Sequence, residues 1–245
     1  MKPPGHWCSE ASIWQLVECC DYSADLRSWQ ELARDSRTGV LDLGCGIGRV
    51  ARDLARAGTH SLGIDLDEGV VADFNRLSPD PGTFAVPGDA CEPEPASGPF
   101  DRIFAPQQLL QTVGGRSGRE ALLAASAGRL APGGIAAFAF SEGLPTESVE
   151  PELLPDLREI DSWIYSSRPV RLEATPGSVT VHRLRQRVSP LGDLAEYRDS
   201  TKLDRINRAT AAAEFSEAGL KVEDWIEVPA TELHVGSVIA VARPD

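Results

Sequence analysis

Residues 42–48 of this 245-residue chain read Asp-Leu-Gly-Cys-Gly-Ile-Gly, at the end of a short apolar run that starts at Val40. Glycine is needed where backbone turns sharply or must approach a ligand closely. A strand that ends in such a turn and feeds a helix offers backbone N–H groups and a positive helix terminus to a bound cofactor. The spacing narrows the choice. A dinucleotide turn runs G-x-G-x-x-G, and its third glycine would fall where this chain has Arg49. Here Gly44, Gly46 and Gly48 alternate instead, with Asp42 two residues ahead of the first. Asp65 closes a second apolar run about 20 residues past the first glycine, where a carboxylate can hold both ribose hydroxyls. Alone, Asp65 reads as a turn residue at a strand end. Joined to the glycine turn at this distance, it points to a cofactor that carries a ribose.

The elements that must position these residues alternate in type. Two helices are expected before the turn, around 13–17 and 25–34, the second with Leu26, Trp29, Leu32 and Ala33 on one face. Strands are expected at 40–43, 61–65, 83–86, 100–105 and 135–140. Helices at 49–57, 68–77 (closed by Ser78-Pro79) and 117–130 lie between them, with a loop at 91–99 and a turn at 131–134. This rhythm implies a parallel sheet covered on both faces. It breaks after Phe140. A loop at 141–157 leads into three alternating stretches, 159–173, 178–188 and 194–203, which read as an antiparallel meander. A helix at 209–218 and two strands at 220–228 and 233–241 complete the chain. The expected organisation is an N-terminal helical lid at 1–37, a cofactor-binding core at 38–140, a β insertion at 141–205 and a C-terminal completion of the core sheet at 206–245.

Composition excludes several classes of function. A net charge of −13 repels the phosphate backbone of nucleic acids and anionic membrane surfaces. Arg183, Arg185 and Arg187 alternate along one stretch and are expected on the solvated face of a strand. Cys8, Cys19, Cys20, Cys45 and Cys91 form no C-x-x-C pair or zinc-ligand spacing, so no metal is expected. The odd cysteine count, the absence of a signal-peptide pattern at the start and the lack of any apolar stretch of about 18 residues point to the cytoplasm. The excess of Arg over Lys, with abundant Ala, Gly and Pro, suits a bacterial source.

Taken together, VLDLGCGIGRVARDLA, GIDLD, GDA at 88–90, FDRIFA at 100–105 and LAPGG at 130–134 resemble class I methyltransferases dependent on S-adenosylmethionine (SAM). The resemblance spans roughly residues 38–140. It implies a Rossmann-like α/β fold with a seven-stranded, mostly parallel sheet ending in an antiparallel hairpin, with S-adenosylhomocysteine as the product of the cofactor. It also implies site residues. Asp42, Gly44, Cys45, Gly46 and Gly48 would line the methionine part, and Asp65 would bind the ribose with Leu66 beside the adenine. Asp89 would reach the adenine amino group, with Ala90 and Cys91 at its ring. Ala105, Pro106 and Gln107 would flank the sulfonium, and Leu110 would pack near the ribose or methionine. Ala105-Pro106-Gln107-Gln108 departs from the N/D-P-P-Y/F motif of several amino-group and amide methyltransferases, which argues against nucleobase and glutamine methylation.

The segment Ser12-Ile13-Trp14-Gln15-Leu16, followed by Leu26-Arg27-Ser28-Trp29, is similar to the opening helices of glycine and sugar-amine N-methyltransferases. There an aromatic residue closes over the methionine of SAM, which nominates Trp29 and Tyr22; packing into the core is the alternative for Trp14 and Trp29. In that branch an insertion after the fifth strand builds the acceptor side, and residues 158–203 fill that slot. Candidates for the acceptor side are Trp7, Gln108, Trp163 and Arg168, with Trp163 and Tyr165 on one strand face. Candidates for a general base are His6, His182 and Tyr165; His60 and His234 read as structural or surface residues. The expected activity is methyl transfer to a small molecule, with secondary metabolism as the expected setting and a homodimer as one option for assembly. Methylation of a protein, SAM binding without catalysis and nicotinamide chemistry are the competing readings; Arg49 and the lack of a Tyr-x-x-x-Lys pair argue against the last.

Overall fold

A computed structural model describes residues 6–19, 21–78, 80–92, 98–232 and 234–245. Cys20, Pro79, Leu233, residues 1–5 of the expected lid and residues 93–97 of the expected loop lie outside the described residues.

The core is one sheet of seven strands. β1 (Val40–Leu43), β2 (Ser61–Asp65), β3 (Phe84–Pro87), β4 (Phe100–Ala105) and β5 (Leu130–Phe140) run parallel, and β10 (Leu220–Val228) and β11 (Ser237–Pro244) close one edge as an antiparallel hairpin. The order is β10-β11-β5-β4-β1-β2-β3. All four residues of β1 are buried, as a central parallel strand requires. Helices α3 (Arg49–Arg56), α4 (Glu68–Leu77), α6 (Gly115–Arg129) and α7 (Arg208–Glu217) connect and flank the strands. The fold is the Rossmann-like α/β arrangement expected from the sequence.

The insertion is a separate antiparallel sheet of four strands, not three. The expected 159–173 stretch divides into β6 (Asp156–Ile160) and β7 (Trp163–Ala174), followed by β8 (Ser178–Val188) and β9 (Leu194–Asp204). Asp161 and Ser162 turn the chain with φ of 50° and 65°. Two consecutive left-handed residues make a tight hairpin turn. No glycine marks this one, so the sequence reads as continuous. Leu130–Gly134 also differs from expectation. It pairs with β4 as the start of β5 and contains an irregularity opposite Phe100–Arg102, instead of preceding the strand as a free turn. A short helix, α5 (Leu109–Thr112), follows β4 where none was expected.

Two N-terminal helices, α1 (Glu10–Glu18) and α2 (Leu26–Ala33), cover different places. Ser9 caps α1 by accepting from the amide of Ala11. The carboxylate of Asp73 on α4 accepts from the amides of Cys8 and Ser9, which pins the start of α1 to α4. Trp14 and Val17 of α1 pack on Tyr165 of the insertion sheet. Trp29 of α2 packs instead with Val50, Leu54 and Phe104 in the core.

Gly48 shows how tightly the glycine turn is built into this frame. It has φ of 83°, and a methyl group there would stand 2.5 Å from the ring of Phe74, which is fully buried. Gly48→Ala is therefore expected to cost about 3 kcal/mol through backbone strain and overpacking. Thermal denaturation should record a melting point roughly 6–12 °C lower; an unchanged melting point would show that Phe74 has room to yield.

Candidate active site

The turn at the end of β1 has its backbone already bonded. The amide of Cys45 donates to Ile64 O at 3.0 Å and that of Gly48 to Cys45 O at 2.9 Å. Gly46 N donates to Asp65 Oδ2 at 2.9 Å, while Asp65 Oδ1 accepts from Asp67 N at 3.1 Å. Ile47 N donates at 2.9 Å to Oε1 of Gln15, which reaches down from α1. Asp65 is thus held by both oxygens, one on the glycine turn and the other on the amide two residues on. Each oxygen keeps a lone pair that could accept from a hydroxyl such as those of a ribose.

Beside this turn lies a cavity of about 220 Å³, lined by Asp42, Gly44, Cys45, Gly46, Ile47, Arg49 and Val50, by Gln15 and Cys19 of α1, and by Pro106 and Gln107 beyond β4. Asp42 is 1% exposed, and its Oδ1 has no hydrogen-bond partner in the structure. Burial pushes its carboxyl up to about 7; the nearby Arg49 charge opposes the rise and Asp65 adds to it. A buried, unpartnered carboxylate oxygen is a place for a cation. SAM brings a sulfonium and an ammonium, so the residues present fit that cofactor.

A titration follows. A bound cation favours ionised Asp42, so SAM affinity should rise as pH increases through the pKa of this group. Between pH 6 and pH 7 the gain should be roughly fivefold by calorimetry. Asp42→Asn should bind weakly and lose the slope; a flat profile in the unaltered protein would separate Asp42 from the cofactor.

Arg49 ties this site to the N-terminal segment. Its guanidinium holds Asp25 through two hydrogen bonds of 2.7 and 2.8 Å and donates to Tyr22 O at 3.0 Å, with the Tyr22 ring 5.1 Å away. Tyr22 therefore reaches the cavity wall through Arg49. Trp29 does not close over a cofactor. It is fully buried, donates to Asp25 Oδ2 and lies against Phe104, so its indole belongs to the core.

The remaining expected cofactor residues are placed as follows. Leu66 is exposed just beyond Asp65, and Ala90 is buried with Cys91 beside it. One oxygen of Asp89 accepts from Cys91 N and shapes that turn. The Cys45 thiol packs above Gly63, leaving no space for a Cβ there, and burial pushes its pKa well above the ordinary thiol value. Cys45 thus faces the site through its backbone. Ala105 is fully buried, while Pro106 and Gln107 reach the cavity, Gln107 with φ of 57°. Leu110 is buried in the main core; its neighbour Leu109 covers the turn, so close to Gly44 that a Cβ would meet it at 2.9 Å. Helical phase explains the exchange, because the short α5 turns 109 toward the glycines and 110 inward.

On the acceptor side the structure overturns several expectations. Tyr165 is fully buried under α1, its ring 5.4 Å from that of Trp14, and burial pushes its hydroxyl up to about 12. It can neither wall an acceptor nor serve as a base near neutral pH. His182 pairs with Glu173 at 3.2 Å. It alternates along β8 with Arg183 and Arg185, whose side chains face α1, so it lies on the sheet's other face. Arg168 lies opposite Leu184 and shares that outward face. His6 is exposed, 3.7 Å from Asp161 at the β6–β7 turn, and Trp7 donates to the same carboxylate. This holds both away from the cavity. Trp163 is half-buried with Arg187 over its ring. Gln108 leans toward Ser141 at 3.4 Å. His234 packs its ring on that of Tyr22, with 4.8 Å between centroids.

The alternating arginines are not a solvated face. Arg185 donates to both oxygens of Glu18 on α1 at 2.7 and 2.9 Å, Arg183 lies 3.3 Å from the same carboxylate, and Ser167 donates to it at 2.6 Å. Gln111 is equally hidden from sequence reading. It is buried, donates to Ser141 O and Asp204 O, and accepts from Ser141 N, thereby stapling both ends of the insertion to α5. Nothing in the spacing of Gln15, Glu18 or Gln111 sets them apart from ordinary helix-surface residues.

Residues 40–134 match the profile of a family described as a methyltransferase domain. No curated protein matches the chain. Among solved structures, DesVI of Streptomyces venezuelae superposes with a TM-score of 0.74 at 18% identity, covering 95% of this chain and 96% of its own. SAM-bound CalS10, an amino pentose methyltransferase of Micromonospora echinaspora, gives 0.70 at 20% identity, with 94% and 96% covered. The sugar N-methyltransferase KedS8 of Streptoalloteichus gives 0.67 at 16% identity, with 99% and 90% covered. The fold is the one these three structures share, and the likeness extends over the insertion and the N-terminal helices.

Proposed function

We propose that this chain is a SAM-dependent methyltransferase whose acceptor is the amino group of a small molecule, an amino sugar foremost. The observation that carries the cofactor reading is the unpartnered Asp42 oxygen, buried in a cavity bounded by an Asp65-anchored glycine turn. What supports the acceptor class is the likeness, over nine-tenths of the chain, to structures described as sugar-amine methyltransferases, insertion included.

The cofactor supplies a methyl group activated on a sulfonium, and transfer is an in-line displacement. The protein's own tasks are to orient and to exclude water. Asp65 would hold the ribose of the donor and Asp42 its cationic end. Pro106 and Gln107, rigidly placed at the end of β4, mark the side on which the acceptor must arrive. Helix α1 lies over the turn, and the Glu18 contacts dock it on the insertion sheet, so α1 forms one wall of the cavity that would hold the donor. An amine attacks only when neutral, so turnover should fall below the acceptor's pKa. The covered site and the acidic surface favour a small acceptor over a protein or nucleic acid. No helix among the described residues is long and apolar enough to cross a membrane. The cysteine usage favours a cytoplasmic setting, and the excess of Arg over Lys favours a bacterial source.

The test is transfer of labelled methyl from SAM to nucleotide-linked amino sugars, to their hydroxyl counterparts and to a lysine peptide. Labelling of the amines alone is expected. Labelling of the hydroxyl sugars or the peptide in preference would overturn the acceptor class.

A further inference from the structure

Charge in the cavity is unbalanced with respect to the cofactor proposed for it. The amino-acid half of SAM carries an ammonium and a carboxylate. Asp42 suits the ammonium, but the cavity's one arginine, Arg49, is already committed to Asp25 and Tyr22 O. Neutral amide donors remain. Gln107 is one, beside the end of β4. Gln15 is the other, and its position is the more constrained. Its Oε1 holds the Ile47 amide at 2.9 Å, and its carboxamide fills the space that a Cβ on Gly46 would take, with Oε1 2.3 Å from that point. Its Nε2 hydrogens have no partner among the described residues, and the side chain lines the cavity.

We propose that Gln15 recognises the carboxylate of the cofactor's amino-acid half, with Nε2 donating to it while Oε1 stays on the glycine turn. An amide in this role holds the anion without adding charge beside Arg49. It also explains why Gly46 is glycine, since any side chain there would displace Gln15. The same helix carries Trp14 and Glu18 into the insertion, so α1 joins the donor's amino-acid half to the acceptor side. This inference rests on SAM being the cofactor, and it concerns binding, not turnover.

Calorimetry with SAM, decarboxylated SAM and 5′-methylthioadenosine separates the possibilities. Gln15→Glu keeps an acceptor for Ile47 N but sets a carboxylate against a carboxylate. It should weaken SAM at least tenfold, leave methylthioadenosine unchanged and leave decarboxylated SAM unchanged or tighter. Gln15→Leu should weaken SAM alone. Equal weakening of all three ligands would mean that Gln15 only supports the turn, and tighter SAM binding by Gln15→Leu would mean that Gln15 obstructs the site; either overturns the proposal. If instead Gln107→Leu produces the selective loss of SAM and the Gln15 variants do not, the carboxylate belongs to Gln107. Should the unaltered protein bind none of the three, the cofactor reading itself fails, a result distinct from any outcome for Gln15.

Discussion

Asp65→Ala is expected to weaken SAM binding on the order of 100-fold or more while the protein stays folded. Two hydrogen bonds from ribose hydroxyls to a carboxylate are each worth about 1.5–3 kcal/mol, and alanine removes both. The same change frees Gly46 N and Asp67 N, the two amides that Asp65 now holds at 2.9 and 3.1 Å. Asp67 is exposed, so water can replace the acceptor of its amide, and Gly46 N borders the cavity, so stability should suffer much less than binding. Calorimetry and a thermal melt of the same sample separate the effects. A variant that binds SAM normally would remove the ribose from this end of β2 and, with it, the assignment of the glycine turn.

The second large effect is expected at Glu18, on the side of α1 that meets the insertion sheet. Its carboxylate is 12% exposed and holds Arg185, Arg183 and Ser167. Burial alone would raise its pKa, but the Arg185 hydrogen bond and the charges of Arg183 and Arg185 outweigh this and hold it below the usual value. Because the folded-state pKa is lowered, the stabilisation is present at neutral pH and lost as pH falls below the ordinary carboxylate range. Glu18→Ala leaves two largely buried guanidinium groups facing α1 without this partner. The cost should be about 3 kcal/mol, partly relieved because Asp156 and Asp199 also contact these arginines. Loosened docking of α1 should reduce methyl transfer to an acceptor more than it reduces SAM affinity. Equal loss of both would show that α1 serves the cofactor only. At pH 3 the variant and the parent should be closer in stability than at pH 7.

The insertion aromatics cannot be tested as a pair. Trp163→Ala with Tyr165→Ala would open a cavity under α1, because Tyr165 is core and not acceptor wall. Losing a buried ring of this size costs about 3–5 kcal/mol, which would mask any effect on the acceptor. Trp163→Ala alone is the informative variant.

The sequence by itself determined the cofactor end of this protein. Asp42, the alternating glycines and Asp65 are local features: a turn needs glycine because of backbone geometry, and a strand-end carboxylate follows at a fixed distance because one βα unit has a fixed length. The alternation of elements likewise determined the seven-stranded sheet. The tertiary structure decided everything that depends on which face meets which. Gln15, Glu18 and Gln111 look like any polar helix residue until α1 lies across the turn and the insertion folds back against it. The arginines of β8 read as solvated for the same reason, since alternation shows that they share a face but not what covers it. Tyr165 reads as a pocket residue on period alone and proves to be core. The glycine turn is built by short-range backbone chemistry, whereas the docking of α1 on the insertion is assembled from residues more than a hundred positions apart, as the Glu18–Ser167 contact illustrates.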